Sequence, residues 1–376
     1  MIRTIANLFD ATAASRIATG ASLALLMLAT PAAAQQKTVN VYNWSDFIDP
    51  SVLNDFTKET GIKVVYDTYD NNEIVETKLL TGKSGYDLVG PSGPFLQRLI
   101  KADVFQPIEL EKIPNAKNLW PEIAERLAVF DPGNKFAINY MWGTTGLGIN
   151  TAKVREQLGP DAELNTWDLV FNPEIAQKLK GCGIYVLDSP EDMFPTVLNY
   201  LGLDPDSKDT KDLQKAADAM SKVRTFVQKF HSSEYINALA NGDICVAVGY
   251  SGDILQAASR AKDAGNNVEI EYLIPKEGAM VWFDNLAMPA DAPHPEEARQ
   301  FLDFLNRPEI AARNADFVAY ASGNVAARPL VDPEIRDNPG IYPDDETMKR
   351  LFTNTAYDDR AQRTVTRLWT RVKTGR

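Results

Sequence analysis

Apolar and polar positions along residues 38–101 switch repeatedly between two spacings. Val39, Val41 and Tyr42 stand in a short run, Thr38 to Asn43, that predicts a strand. Asp49-Pro50 then sets a capping residue beside a favoured first helical residue. Val52, Leu53 and Phe56 share one helical face, and Gly61 predicts the stop. Ile62 to Tyr66 predicts a second strand, and Asn72 to Leu80 a helix ended by Gly82. Asp87 to Val89 predicts a short strand, and Phe95 to Lys101 a helix. This succession predicts parallel βαβ units and an α/β fold. In such sheets ligands gather at the carboxyl ends of strands, here the loops Trp44 to Asp46 and Pro91 to Gly93.

The same pattern returns later. Gly183 to Leu187 predicts a strand, leading through Asp188-Ser189-Pro190-Glu191-Asp192 into a helix at Met193 to Leu201. Ser232 to Ala240 predicts a capped helix. Ile244 to Val248 predicts a buried strand, followed by Gly249-Tyr250-Ser251-Gly252-Asp253. Val268 to Ile274 predicts another strand, turned by Pro275-Lys276-Glu277-Gly278. Lys135 to Ile149 is a long extended stretch carrying Gly143, Gly146 and Gly148. Two readings of it stay open: a hinge strand between two lobes, or a core strand whose glycines approach a ligand.

Residues 1–34 do not follow the alternation. Arg3 and Arg16 make a basic start, Ile17 to Thr30 is apolar and small, and Pro31 breaks the run. Ala32-Ala33-Ala34 supplies the small residues of a cleavage site, so the segment is expected to be a bacterial secretory signal cut after Ala34. The apolar run is shorter than the roughly 20 residues a membrane span needs. No Cys stands near the cut, so no lipid anchor is expected. Export places Cys182 and Cys245 in an oxidising compartment, where disulfides persist. The sequence leaves open whether they pair or remain two buried thiols. A bridge would close a loop of about 60 residues and stabilise by about 4 kcal/mol. Two Cys without a nearby His do not complete a tetrahedral set, so no metal is expected.

The 376 residues are 44% hydrophobic and 24% charged, which fits a globular chain rather than a disordered or fibrous one. At about 150 residues per domain the length suggests two domains. With 39 basic and 51 acidic residues the formal charge is −12, which repels phosphate backbones and excludes nucleic acid as a partner. The two histidines, His231 and His294, lower the case for metal or general-base chemistry. Gly249-Tyr250-Ser251-Gly252-Asp253 and Gly90-Pro91-Ser92-Gly93-Pro94 both lack the second glycine of a hydrolase nucleophile elbow. His294 is expected in an exposed loop. Gly143 to Gly148 is not a dinucleotide fingerprint and no Walker pattern occurs, so no cofactor is expected.

What stands out is a ring beside an acid, three times. Trp44-Ser45-Asp46-Phe47 follows the first strand, Tyr250-Ser251-Gly252-Asp253 a buried strand, and Trp282-Phe283-Asp284 a turn. Rings attract cations by about 0.5 to 2 kcal/mol each. Carboxylates form charge-assisted hydrogen bonds to ammonium groups. An aliphatic polyamine needs both, with apolar walls for its methylenes and acids for its ends. Each pair alone is as well explained by packing and turn chemistry.

The chain resembles the periplasmic polyamine-binding proteins of ABC importers, the putrescine- and spermidine-binding family. The resemblance covers residues 37–376 and rests on five motifs. They are Tyr42-Asn43-Trp44-Ser45-Asp46, Gly85-Tyr86-Asp87-Leu88-Val89, Ala238-Leu239-Ala240-Asn241-Gly242-Asp243, Pro275-Lys276-Glu277-Gly278-Ala279 and Asn338-Pro339-Gly340-Ile341-Tyr342-Pro343. It implies a two-lobed type II binding protein, each lobe a mixed sheet flanked by helices. Lobe 1 is expected at 37–144 plus 283–320 and lobe 2 at 145–282 plus 321–376. It also implies a disulfide between Cys182 and Cys245.

For the site, the resemblance implies Trp44, Ser45, Asp46 and Ser92 from one lobe, with Phe47 where a Tyr is usual. Asp192 stands where close relatives have Glu, and Tyr250 where a Trp is usual. Asp253 and Asp284 are implied to hold ammonium groups, with Trp282 and Tyr320 as walls and Asn354 at the distal end. The shorter Asp192 and the Trp at 282 favour spermidine over putrescine. The expected protein is a periplasmic monomer that binds without catalysis and hands its ligand to a membrane permease. The competing readings are a binding protein for another cationic solute and an exported carboxylate-dependent hydrolase.

Overall fold

The computed structural model describes residues 36–69 and 71–375. The expected signal, residues 1–34, lies outside the described residues. The strands are β1 (Thr38–Trp44), β2 (Lys63–Tyr69), β3 (Leu88–Val89), β4 (Ala137–Asn150), β5 (Ile184–Val186), β6 (Lys229–Phe230), β7 (Val246–Tyr250), β8 (Ile270–Leu273), β9 (Met280–Ala287) and β10 (Ala321–Ser322). They run in the order β2-β1-β3-β9-β4-β7-β5-β6, with β8 and β10 also paired to β4. The β1 pairings with β2 and β3 are parallel, as are those of β5 with β6 and β7. The pairings of β4 are antiparallel. Helices flank this mixed sheet.

The mixed sheet runs through both halves, because β4 serves both. All fourteen of its residues are buried. Ala137 to Thr145 pair with β9, and Thr145 to Asn150 pair with β7 and β8. Its glycines let neighbours approach closely. A Cβ at Gly143 would meet the Trp282 ring at 2.6 Å.

The apolar interior divides along β4. One cluster gathers Leu147 and Ile149, Trp167 to Ala261, and the face Ala361, Val365, Leu368, Trp369 and Val372 of the last helix. Two others gather Val39 to Met141 and Ala279 to Tyr320. Ile341, Tyr342 and Leu351 pack with these latter residues. Cys182 and Cys245 form a disulfide, with Cα atoms 5.5 Å apart.

The predicted caps hold at the first helix, Pro50–Thr60. Asp49 accepts from Ser51 N, and Gly61 closes the helix at φ 72°. The helix expected from Ser232 begins at Tyr235. His231 Nδ1 accepts from Ser233 N and Glu234 N, which holds that stretch in a turn. His294 lies in a loop before a helix, as expected, and is half-exposed. It precedes the helix Pro295–Leu305, and its Nδ1 lies 3.1 Å from buried Asp87.

Candidate functional site

Three carboxylates, Asp192 and Asp284 buried and Asp253 half-buried, accept side-chain hydrogen bonds from hydroxyls alone and form no salt bridge among the described residues. Asp192 and Asp253 hold equivalent places, each third in a helix that follows a strand of the same half, in Pro190–Tyr200 and Ser251–Asp263. Asp192 accepts from Thr145 at 2.9 Å, Ser189 at 2.5 Å and Tyr250 at 3.2 Å. Asp253 accepts from Tyr235 at 2.6 Å and Tyr320 at 2.7 Å.

Asp284 arrives differently. It sits in β9 opposite Met141, where β4 shifts register between Asn139 and Met141. Such irregularities re-aim side chains. Ser92 heads the helix Gly93–Lys101 without capping it, because its Oγ donates instead to Asp284 Oδ1 at 2.5 Å.

Burial raises all three acids from their ordinary value. Asp284 is raised to about 7, against the pull of Ser92. Asp192 and Asp253 are raised by burial, against the hydroxyls that favour their charged forms. The charge of Arg260 lowers Asp253 and the smaller effect of Asp46 raises it. An isolated buried carboxylate is costly unless a cation or a proton meets it.

The rings form a connected wall. Trp282 stands edge-on to Tyr320, with centroids 5.1 Å apart, and edge-on to Tyr250 at 5.8 Å. Phe47 meets Tyr320 at 5.6 Å. Trp44 donates through Nε1 to Gly90 O at 3.0 Å and leans on Tyr69 at 4.8 Å. Ser45 and Asp46 are exposed beyond β1, with Asp46 at φ 54°. Asn354 is buried, and its Nδ2 donates to Glu191 O at 3.3 Å.

Residues 51–343 match the family of bacterial extracellular solute-binding proteins. The chain belongs to this family. It is 53% identical over 345 residues to the putrescine-binding periplasmic protein PotF of Escherichia coli, covering 92% of this chain and 93% of that one. It is 34% identical over 335 residues to the spermidine/putrescine-binding periplasmic protein of Salmonella typhimurium, covering 89% and 90%. Among solved structures it is similar to the spermidine/putrescine ABC transporter substrate-binding protein PotD of Streptococcus pneumoniae. That match has a TM-score of 0.76 at 30% identity, over 90% of this chain and 99% of that one. The fold is accordingly that of a type II solute-binding protein.

In this solute-binding protein two expected placements change. Asp192 was expected before a helix starting at Met193, but the helix begins at Pro190, which takes the first position with its fixed φ. Trp282 and Asp284 were expected at a loop end, but both lie inside β9, whose eight residues are all buried. Sequence reasoning missed Tyr235 and Thr145, which orient the acids. Tyr235 lies eighteen residues from Asp253 and carries no local signal. It also missed Gly252, where a Cβ would meet the Tyr320 ring at 2.6 Å.

Proposed function

We propose that this protein is the substrate-binding subunit of a polyamine ABC importer. The observation that carries the reading is the set Asp192, Asp253 and Asp284, buried or half-buried beside rings and served only by hydroxyls. A diammonium or triammonium ligand supplies the missing counterions. Asp46, exposed nearby, steers cations inward. Trp44, Phe47, Tyr250, Trp282 and Tyr320 receive the methylenes, each worth about 0.8 kcal/mol when buried. Ser45, Ser92 and Asn354 line the same cleft. The chemistry of this reading is capture and release.

We place the ligand between two lobes joined along β4. The packing supports a boundary that differs in part from the sequence expectation. β10 pairs with Met141 and Trp142, and Ile341, Tyr342 and Leu351 pack with the first lobe, so 321–351 stay there. Residues 279–282 stay there too. The chain is exported through residues 1–34, acts in the periplasm as a monomer, and presents both lobes to a membrane permease. Spermidine was the sequence expectation, whereas the name of the relative at 53% identity favours putrescine. Titration of both against the protein decides between them.

A thermal-shift panel tests the reading. Ligand at 100 times its dissociation constant adds about 2.7 kcal/mol of stability. A rise with putrescine, spermidine, cadaverine or agmatine supports it. No shift with any of the four refutes it.

A further inference from the structure

We infer that the last helix, Asp359–Thr374, presents a basic face that docks on an anionic phospholipid surface. The choice of lipid as the anion rests on the importer reading above; the basic face itself does not. Five basic residues stand against the lone acid Asp359 in this helix, in a chain whose formal charge is −12. At about 100° per residue, Arg360, Arg363, Arg367 and Arg371 fall within an arc of about 80°. The opposite face, Ala361, Val365, Leu368, Trp369 and Val372, is buried in the protein's own core. The helix therefore keeps its apolar side from a membrane and offers charge alone.

Arg360, Arg363 and Arg367 are exposed. Among the described residues, only Arg371 and Lys373 of this helix form salt bridges, to Asp218 and Asp188. The short Thr364, Thr370 and Thr374 lie on or beside the same arc. Each donates its hydroxyl back to the carbonyl four residues earlier, of Arg360, Thr366 and Thr370. No acid of the helix stands between the guanidinium groups.

Local helix energetics does not account for the row. Arg371 and Lys373 suit the negative end of the helix dipole, but Arg360 lies in the first turn, where a positive charge is unfavourable. Arg363, Arg367 and Arg371 follow at four-residue intervals, which sets like charges beside one another. An anionic partner relieves both. At 1.5 Å per residue the row from Arg360 to Arg371 is about 16 Å long. A planar guanidinium pairs bidentately with phosphate, and a convex row of such forks matches an array of phosphate headgroups rather than one small enclosed anion. The importer reading sets the protein beside a bilayer, which favours lipid over the phosphates of a nucleic acid.

Flotation of the exported protein, expected to begin at Gln35, with phosphatidylcholine vesicles that contain or lack phosphatidylglycerol tests the inference. Binding is expected at low salt to the vesicles with phosphatidylglycerol and not to phosphatidylcholine alone. Release is expected at about 0.5 M salt, where screening shortens to about 4 Å. Arg363→Gln with Arg367→Gln should lower partitioning by about 25-fold, on the scale of about fivefold per arginine. Lys101→Gln with Lys117→Gln removes the same charge from exposed sites elsewhere and should change it by less than about threefold. Both double variants should bind polyamine like the wild type, which shows that they fold. No binding to anionic vesicles at low salt, or equal losses in the two double variants, would overturn the inference. Capture of a short DNA duplex in place of the vesicles would overturn lipid as the partner. None of these results touches the polyamine reading, which fails separately if the wild type binds neither putrescine nor spermidine.

Discussion

Ser92 Oγ donates to Asp284 Oδ1 at 2.5 Å although 192 residues separate them in the chain. The bond joins the loop after β3 to the interior of β9, and it fixes a carboxylate that burial has raised to about 7. Two opposite pH trends follow. The folded value lies above the ordinary 3.8, so the stability Asp284 contributes to the ligand-free protein is fully present below about pH 4. That stability is lost as pH rises through about 7. A cation, by contrast, needs Asp284 ionised, so affinity should climb over the same range. Melting the ligand-free protein at pH 5.5 and 8, and titrating it at both, checks the pair of trends. Asp284→Asn should flatten the first and weaken polyamine binding tenfold or more. Unchanged affinity would remove Asp284 from the site.

The disulfide makes a separate prediction. Cys182 and Cys245 close a loop of 63 residues, which should stabilise by about 4 kcal/mol through the unfolded chain. The double variant Cys182→Ser, Cys245→Ser should therefore melt at a lower temperature by several degrees. Its ligand affinity should stay near that of the wild type, because the hydrogen-bond partners of Asp192, Asp253 and Asp284 include neither cysteine. Chemical denaturation with and without reductant gives an independent reading.

Gly252 should be intolerant of any side chain. A Cβ there would lie 2.6 Å from the Tyr320 ring, which must then move. Moving it breaks the bond to Asp253 and tilts the wall against Trp282. Gly252→Ala is expected to weaken ligand binding by at least tenfold, with an unaltered circular dichroism spectrum. Wild-type affinity would show that the ring has room to give.

The first lobe was legible because its punctuation is local. Asp49-Pro50 and Gly61 delimit a helix through cap chemistry within a dozen residues. The strand ends that carry Trp44 and Ser92 followed from the same rhythm. β9 was not legible. Met280 to Ala287 is buried throughout, so no polar alternation marks it as a strand or gives a face to Asp284. The partners of the acids were also out of reach. Thr145 meets Asp192 across 47 residues, and Tyr320 meets Asp253 across 67, through register and packing that no single segment encodes. The family motifs named the acids and rings. The hydroxyls around the acids came only from the assembled sheet.

Those hydroxyls have a consequence of their own. Ser92, Thr145, Ser189, Tyr235, Tyr250 and Tyr320 position three carboxylates with neutral donors, so the acids are held still without a cation from the same chain bonded to them. A lysine at any of these positions would complete the same hydrogen bond and cancel the charge. In the proposed site the protein itself would then supply the counterion. Keeping the whole inner shell to uncharged donors leaves the protein hungry for a partner it cannot supply from its own chain.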